Sequence, residues 1–191
     1  IISSDNVGPS VANDIKRNAI IAVIFSLIAI GGYIAWRFKK WQWAMGGVIA
    51  LIHDALITIG VFSMFWGILP FNLDVDQSFI AAILTIIGYS INNTVVIFDR
   101  IRENRTLYPK RKLKDNINSA VNSTLARTVN TTGTTLVVLL AIFIFGGEVI
   151  RGFIFALLFG MVIGTFSSIF VSTPVSYDFM KKKLKSGVEV N

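Results

Sequence analysis

Five stretches of this chain are apolar over a length that can cross a bilayer, and short polar stretches separate them. A hydrocarbon core about 30 Å thick takes about 20 helical residues. The first apolar run closes on Arg37-Phe38-Lys39-Lys40, the second carries His53-Asp54 near its middle, and the third leads into DRIRENRTLYPKRKLK. The fourth stops at Gly146-Gly147, and the fifth ends before Lys181-Lys182-Lys183-Leu184-Lys185. The pattern predicts an all-α polytopic membrane bundle over residues 14–180, with spans at about 15–37, 43–66, 77–99, 127–146 and 150–175. The stretch LKDNINSAVNSTL, inside the connector 100–126, is too polar to insert and is predicted as a short interfacial helix. Residues 181–191 form a polar tail, and polar residues 1–13 read as the end of an exported domain or linker. Nothing at the start has the form of a signal peptide, so the sequence reads as the later part of a longer chain.

Composition agrees. A chain of 191 residues that is 53% hydrophobic and only 15% charged lies outside the range of soluble domains of this size. The absence of cysteine excludes disulfides and Cys-ligated metal. The net charge of +7 comes from Lys and Arg in short loops beside apolar segments, which fits topology and anionic headgroups and argues against nucleic acid. The loops after spans one, three and five are basic, and those after spans two and four are nearly bare. The basic loops, the interfacial helix and the C-terminus are therefore expected in the cytoplasm and the start of the chain outside. Lys16 and Arg17 then lie on the disfavoured side, so another helix or an exported domain is expected upstream of Ile1.

The candidate chemistry is not enzymatic. One His, no Cys, and no GxSxG, P-loop or HExxH leave the common nucleophilic, phosphoryl-transfer and zinc mechanisms without their parts, and no metal site is expected. What remains is polarity at membrane depth, which is costly and marks function. Asp54, halfway along span two, must be paired, hydrated or protonated there, whether as a structural tie or an ion relay. His53 points about 100° away from it on a helix, so the two are not expected to face one group together. Asn92 and Asn93 lie inside span three. Asn92 shares a small, polar face with Gly88, Thr85 and Ala81 that suits a bundle interior, and Asn93 shares its face with Tyr89 and Ile97. At the end of that span Asp99 and Arg102, three residues apart, allow a local ion pair, with Arg100, Glu103 and Asn104 beside them. Arg127, at the entrance of span four, either snorkels to headgroups or sits below a column of hydroxyls from Thr131, Thr134 and Thr135, with Asn130 beside it and Gly133 leaving room for another helix. Asn93 is expected to look across at Arg127 inside the bundle. Span five carries Gly152, Ala156, Gly160, Gly164, Ser168 and Ser172 at a spacing of four, a ridge for close helix packing.

GYSINNTVVIFDRIREN, the His53-Asp54 pair, LARTVNTTGTT and the FGG that follows resemble the SecF half of the bacterial SecDF accessory translocase, of the resistance-nodulation-division superfamily. The resemblance covers nearly the whole chain. It implies five transmembrane helices of a six-helix half in the bacterial inner membrane. It further implies a partner SecD half, fused or separate, and work with the SecYEG channel and YidC on preprotein substrates. The gradient of a proton or sodium ion would drive that work, with no other cofactor, within a lipid environment. Arg127 then matches the family's intramembrane arginine, with Thr131 one turn on, and the residues from Asp99 to Asn104 match its DRIREN signature. The family pattern has Asp where this chain has Asn93, and an amide cannot load and release a proton. Either the residue was substituted, or coupling runs through the SecD half and groups such as Asp54, or sodium is bound through oxygens. A passive scaffold of the translocon is the alternative, and a drug exporter of the wider superfamily is a third reading.

Overall fold

A computed structural model describes residues 9–185. The exported end expected over 1–13 and the tail over 181–191 fall largely outside those residues. Helix α1 runs Pro9–Phe38, α2 Trp41–Phe65, α3 Gln77–Leu107, α4 Leu113–Phe145 and α5 Glu148–Ser167; a π-helical turn, Ser168–Ser172, leads into α6, Thr173–Lys185. Five helical segments are long and apolar enough to cross a membrane, the fifth being α5, the π turn and α6 together. The described chain is thus a multi-pass, all-helical membrane bundle.

Each boundary has a local cause. Lys39, at φ 55°, turns the chain between α1 and α2 in two residues. The Asp76 carboxylate caps α3 by accepting from the amide of Phe79 at 2.8 Å, satisfying a donor that the first turn leaves free. Tyr108-Pro109 ends α3, because the residue before a proline disfavours helical geometry. The stretch predicted as a separate interfacial helix, 113–125, is helical but continues unbroken into the fourth span. Asn116, Ile117, Ala120 and Thr124 in it are buried, so one face packs on the bundle, and polarity that keeps a segment out of lipid is no obstacle to continuing a helix beyond it.

Helices α3 and α5 form the centre. Half of the apolar stretch of the fifth span is buried, against 6% for α1, which lies at the periphery and exposes Ile20, Ile24, Phe25 and Ile28. The ridge on α5 is buried throughout and lets α3 come close. A methyl at Gly160 would meet Ile86 Cδ1 at 2.1 Å. Residues four apart on an α-helix overshoot a full turn by about 40°, so the ridge would wind off its face within a few repeats. The wider π turn sets the register back, and Ser168, Ser172 and Ser176 stay buried beyond it. Gly46 of α2 fits there: a methyl at Gly46 would lie 2.7 Å from the Ser172 carbonyl.

Two apolar cores result, one around Phe62, Phe79, Ile86 and Phe155, the other around Phe38, Trp43, Phe98 and Ile101 towards the basic loops. Between them lies a layer of buried polar side chains that includes Asp54, Ser90, Asn93, Thr128, Thr132, Ser167 and Ser168.

Candidate functional site

Asp54 is fully buried in that layer. Its Oδ2 accepts from Ser90 Oγ of α3 at 2.5 Å and from Ser167 Oγ of α5 at 2.8 Å. With the carboxyl ionised, His53 Nδ1 donates to Oδ1 at 3.1 Å. His53 was expected to point elsewhere; adjacent side chains diverge at Cβ, but the imidazole is long enough to fold back over its neighbour. A bare carboxylate at this depth would be prohibitive, and charge-assisted hydrogen bonds of this kind offset the cost. Gly164 makes the arrangement possible. A methyl there would sit 2.9 Å from Ser90 Cβ and 3.5 Å from Asp54 Oδ2, so only a bare backbone lets α5 reach the carboxyl. Asp54 is the one carboxyl inside the spans among the described residues.

A second network sits beside the first. Asn93, 4% exposed, donates through Nδ2 to Thr165 Oγ1 at 3.4 Å. Thr165 donates its own proton to the Met161 carbonyl at 2.8 Å, so Thr132, 2.8 Å away, is the donor between the two hydroxyls, and Tyr89 donates to Thr132 at 3.1 Å. Every proton in this chain of hydroxyls points towards a backbone carbonyl. In this arrangement it ties α3, α4 and α5 together and hands nothing to Asp54.

Asn93 and Arg127 are not brought together. Asn93 faces α5, whereas Arg127 is exposed and makes no hydrogen bond or ion pair among the described residues. Asn130, Thr131 and Thr134 are exposed with it and Thr135 partly so; the three threonine hydroxyls bond carbonyls of their own helix. The face of α3 assigned to the interior is also turned out: Ala81, Thr85, Gly88 and Asn92 are all exposed. The bonds from Tyr89 to Thr132 and from Arg100 to Ser123 set α3 and α4 antiparallel, which puts Arg127 about one turn nearer the basic loops than Asn92. The two exposed faces are neighbours, and nothing lies within 4 Å of where a methyl at Gly88 or Gly133 would be.

The residues after span three are tied to three elements. Asp99 pairs with Arg37 of α1 at 3.2 Å instead of with Arg102, because α1 ends at its level. Arg100 bonds Glu103 at 2.7 Å and Ser123 at 3.1 Å. Asn104 is buried and donates to the Asn116 carbonyl, while Asn116 donates to that of Tyr108, which closes the α3–α4 turn. Sequence reasoning missed Ser90, Ser167, Thr165, Thr132 and Tyr89. A signal existed: Ser90 precedes Asn93 by three residues and Ser167 follows Gly164 by three, each one turn from a position already marked.

Residues 1–182 match the family model described as protein export membrane protein SecD/SecF, C-terminal. The chain belongs to this family. The protein translocase subunit SecF of Rhodothermus marinus is 52% identical over 175 residues, which cover 92% of this chain and 56% of that protein. The SecF subunit of Cereibacter sphaeroides is 49% identical over 170 residues, 89% of this chain and 50% of that protein. A crystal structure of SecDF in a super-membrane-facing form superimposes with a TM-score of 0.82 at 36% identity, over 95% of this chain and 23% of that one. SecDF from Thermus, described as a translocon-associated membrane protein, gives 0.80 at 39% identity over 92% and 23%. The SecD/SecF-family chain therefore spans about half the length of these SecF relatives.

Proposed function

We propose that this chain is the membrane portion of a SecF-type subunit that couples a proton or sodium gradient across the bacterial inner membrane to preprotein export through the SecYEG channel. Asp54 is the observation that carries the reading. A carboxyl buried in the polar layer and held by hydroxyls on two other helices is the one group there able to change charge, and its partners let α3 and α5 respond when it does. The outward face bearing Asn92, Gly88, Arg127 and Thr131 supports a partner at membrane depth, since a guanidinium there needs cover from hydrocarbon. In this reading the SecD half supplies that cover, the basic loops are cytoplasmic, and YidC and the substrate are met by the assembled machine.

One feature favours a passive scaffold instead: the amide at Asn93 cannot titrate, and its hydroxyl neighbours end on a backbone carbonyl. Arg127→Ala separates the readings. In proteoliposomes holding the full subunit, its SecD half and SecYEG, the variant is expected to assemble normally but to lose gradient-stimulated export by about tenfold, within the usual range of coupling energies. Undiminished stimulation, abolished by ionophore as in the unmodified protein, would hand the case to the scaffold. Asn93→Asp is expected to raise the gradient-dependent part of export, because it adds a second carboxyl to the layer. It should also lower the melting temperature, since burying that group costs about 1–3 kcal/mol. Equal export rates with and without an imposed gradient would count against it.

A further inference from the structure

A cavity of about 390 Å³ opens at the basic end of the bundle, between the α1–α2 turn and the end of α3. Lys39 and Lys40 line one side, Arg102 and Arg105 the other, and Phe38 and Trp43 form an apolar wall. No carboxylate lines it. The nearest acids in sequence, Asp99 and Glu103, are bonded to Arg37 and Arg100, neither of which faces the cavity. The cavity therefore concentrates positive charge that the fold itself does not neutralise.

Its depth identifies the ligand class. Phe38 is the last residue of α1 and Trp41 the first of α2, and Arg102 lies one turn beyond Phe98, the last apolar core residue of span three. Trp36 and Trp41, 77% and 53% exposed, flank the turn as side chains do at the level of lipid headgroups. A pocket at that level, cationic within and aromatic at its wall, matches a lipid phosphate with its acyl chains running down the outside of the bundle. We propose that the cavity binds an anionic phospholipid, its phosphate held between Lys39 and Lys40 on one side and Arg102 and Arg105 on the other. The tight turn at Lys39 sets the two lysines against α3, so a bound headgroup would staple the α1–α2 corner to the end of span three.

The test uses the full-length subunit with its natural partners, purified from membranes and examined by native mass spectrometry for retained lipid. It is then reconstituted in nanodiscs of phosphatidylethanolamine with or without phosphatidylglycerol or cardiolipin. The protein is expected to retain anionic lipid, and Lys39→Gln/Arg102→Gln to reduce that retention by about twentyfold, at about fivefold for each charge removed near the surface. Lys112→Gln/Lys114→Gln removes the same charge from the same end, outside the cavity, and is expected to change little. Equal loss in both pairs would reduce the effect to general membrane electrostatics and overturn the proposal. Inorganic phosphate at tens of millimolar is expected to leave the adduct in place; its displacement would reassign the site to a free phosphate compound. Should the first pair disturb folding, the unmodified protein still decides: no gain in melting temperature on adding anionic lipid to neutral nanodiscs would overturn the site.

Discussion

Asp54→Asn is expected to abolish gradient-stimulated export while leaving a folded, assembled bundle. Asparagine keeps nearly the same shape and retains one oxygen to accept from Ser90 and Ser167, so the ties to α3 and α5 survive in part. The substitution removes the charge and any capacity to bind a proton, and with it the bond that His53 makes to a carboxylate. The structural cost is at most about 1–3 kcal/mol, the range for a perturbed buried hydrogen bond. If the ion acts elsewhere in the assembly, Asp54→Asn should behave as a mild stability variant whose export still rises with the gradient. Export measured with the gradient imposed and then collapsed, alongside a melting curve, separates the two outcomes.

Gly164→Leu is expected to have the largest effect on the fold. The backbone of α5 lies against Ser90 so closely that a single methyl at position 164 would already sit 2.9 Å from Ser90 Cβ, which has little freedom to retreat. A leucine must push α5 away from α3, parting the Ser167 and Ser90 hydroxyls from Asp54 and pulling Thr165 from Asn93. Overpacking of a close-packed core costs about 1–3 kcal/mol, and the hydrogen bonds lost here add to that. The expected readout is a melting temperature lower by about 5–10 °C, at about 2–4 °C per kcal/mol for a chain of this size. Gly164→Ala should fall between the two proteins. A leucine variant melting with the unmodified protein would show that α5 can retreat at no cost, and the packing account of the site would be lost.

These two substitutions act on one polar layer by different routes, and their contrast is informative. Asp54→Asn alters what the layer can carry and spares its geometry. Gly164→Leu destroys the geometry and leaves every titratable group in place. Loss of gradient stimulation in both, with loss of stability only in the second, is the pattern that a working ion site predicts.

The spacing of apolar and polar residues along the chain was enough to find all five spans, to mark Asp54 as an expensive group that needs partners, and to show the small-residue ridge from Gly152 to Ser172. Each of these follows from one-dimensional chemistry: a helix in lipid must be apolar for about 20 residues, and any charge within it stands out. Tertiary structure alone decided where the polar faces point. Asn92 and Asn93 are adjacent and about 100° apart on α3, so one had to face the centre of this bundle if the other did not. Sequence chose the face with Gly88 and Thr85, and packing chose the one with Tyr89 and Ile97. In a soluble protein a polar face means water, whereas in a membrane it means only an absence of lipid, and that condition is met equally by a chain's own core or by a partner. The same ambiguity turned Arg127 outward and left Asn93 to Thr165. The partners of Asp54 were hidden for a further reason: Ser90 and Ser167 lie on other helices, and only the close approach that Gly164 permits brings their hydroxyls to one carboxylate oxygen.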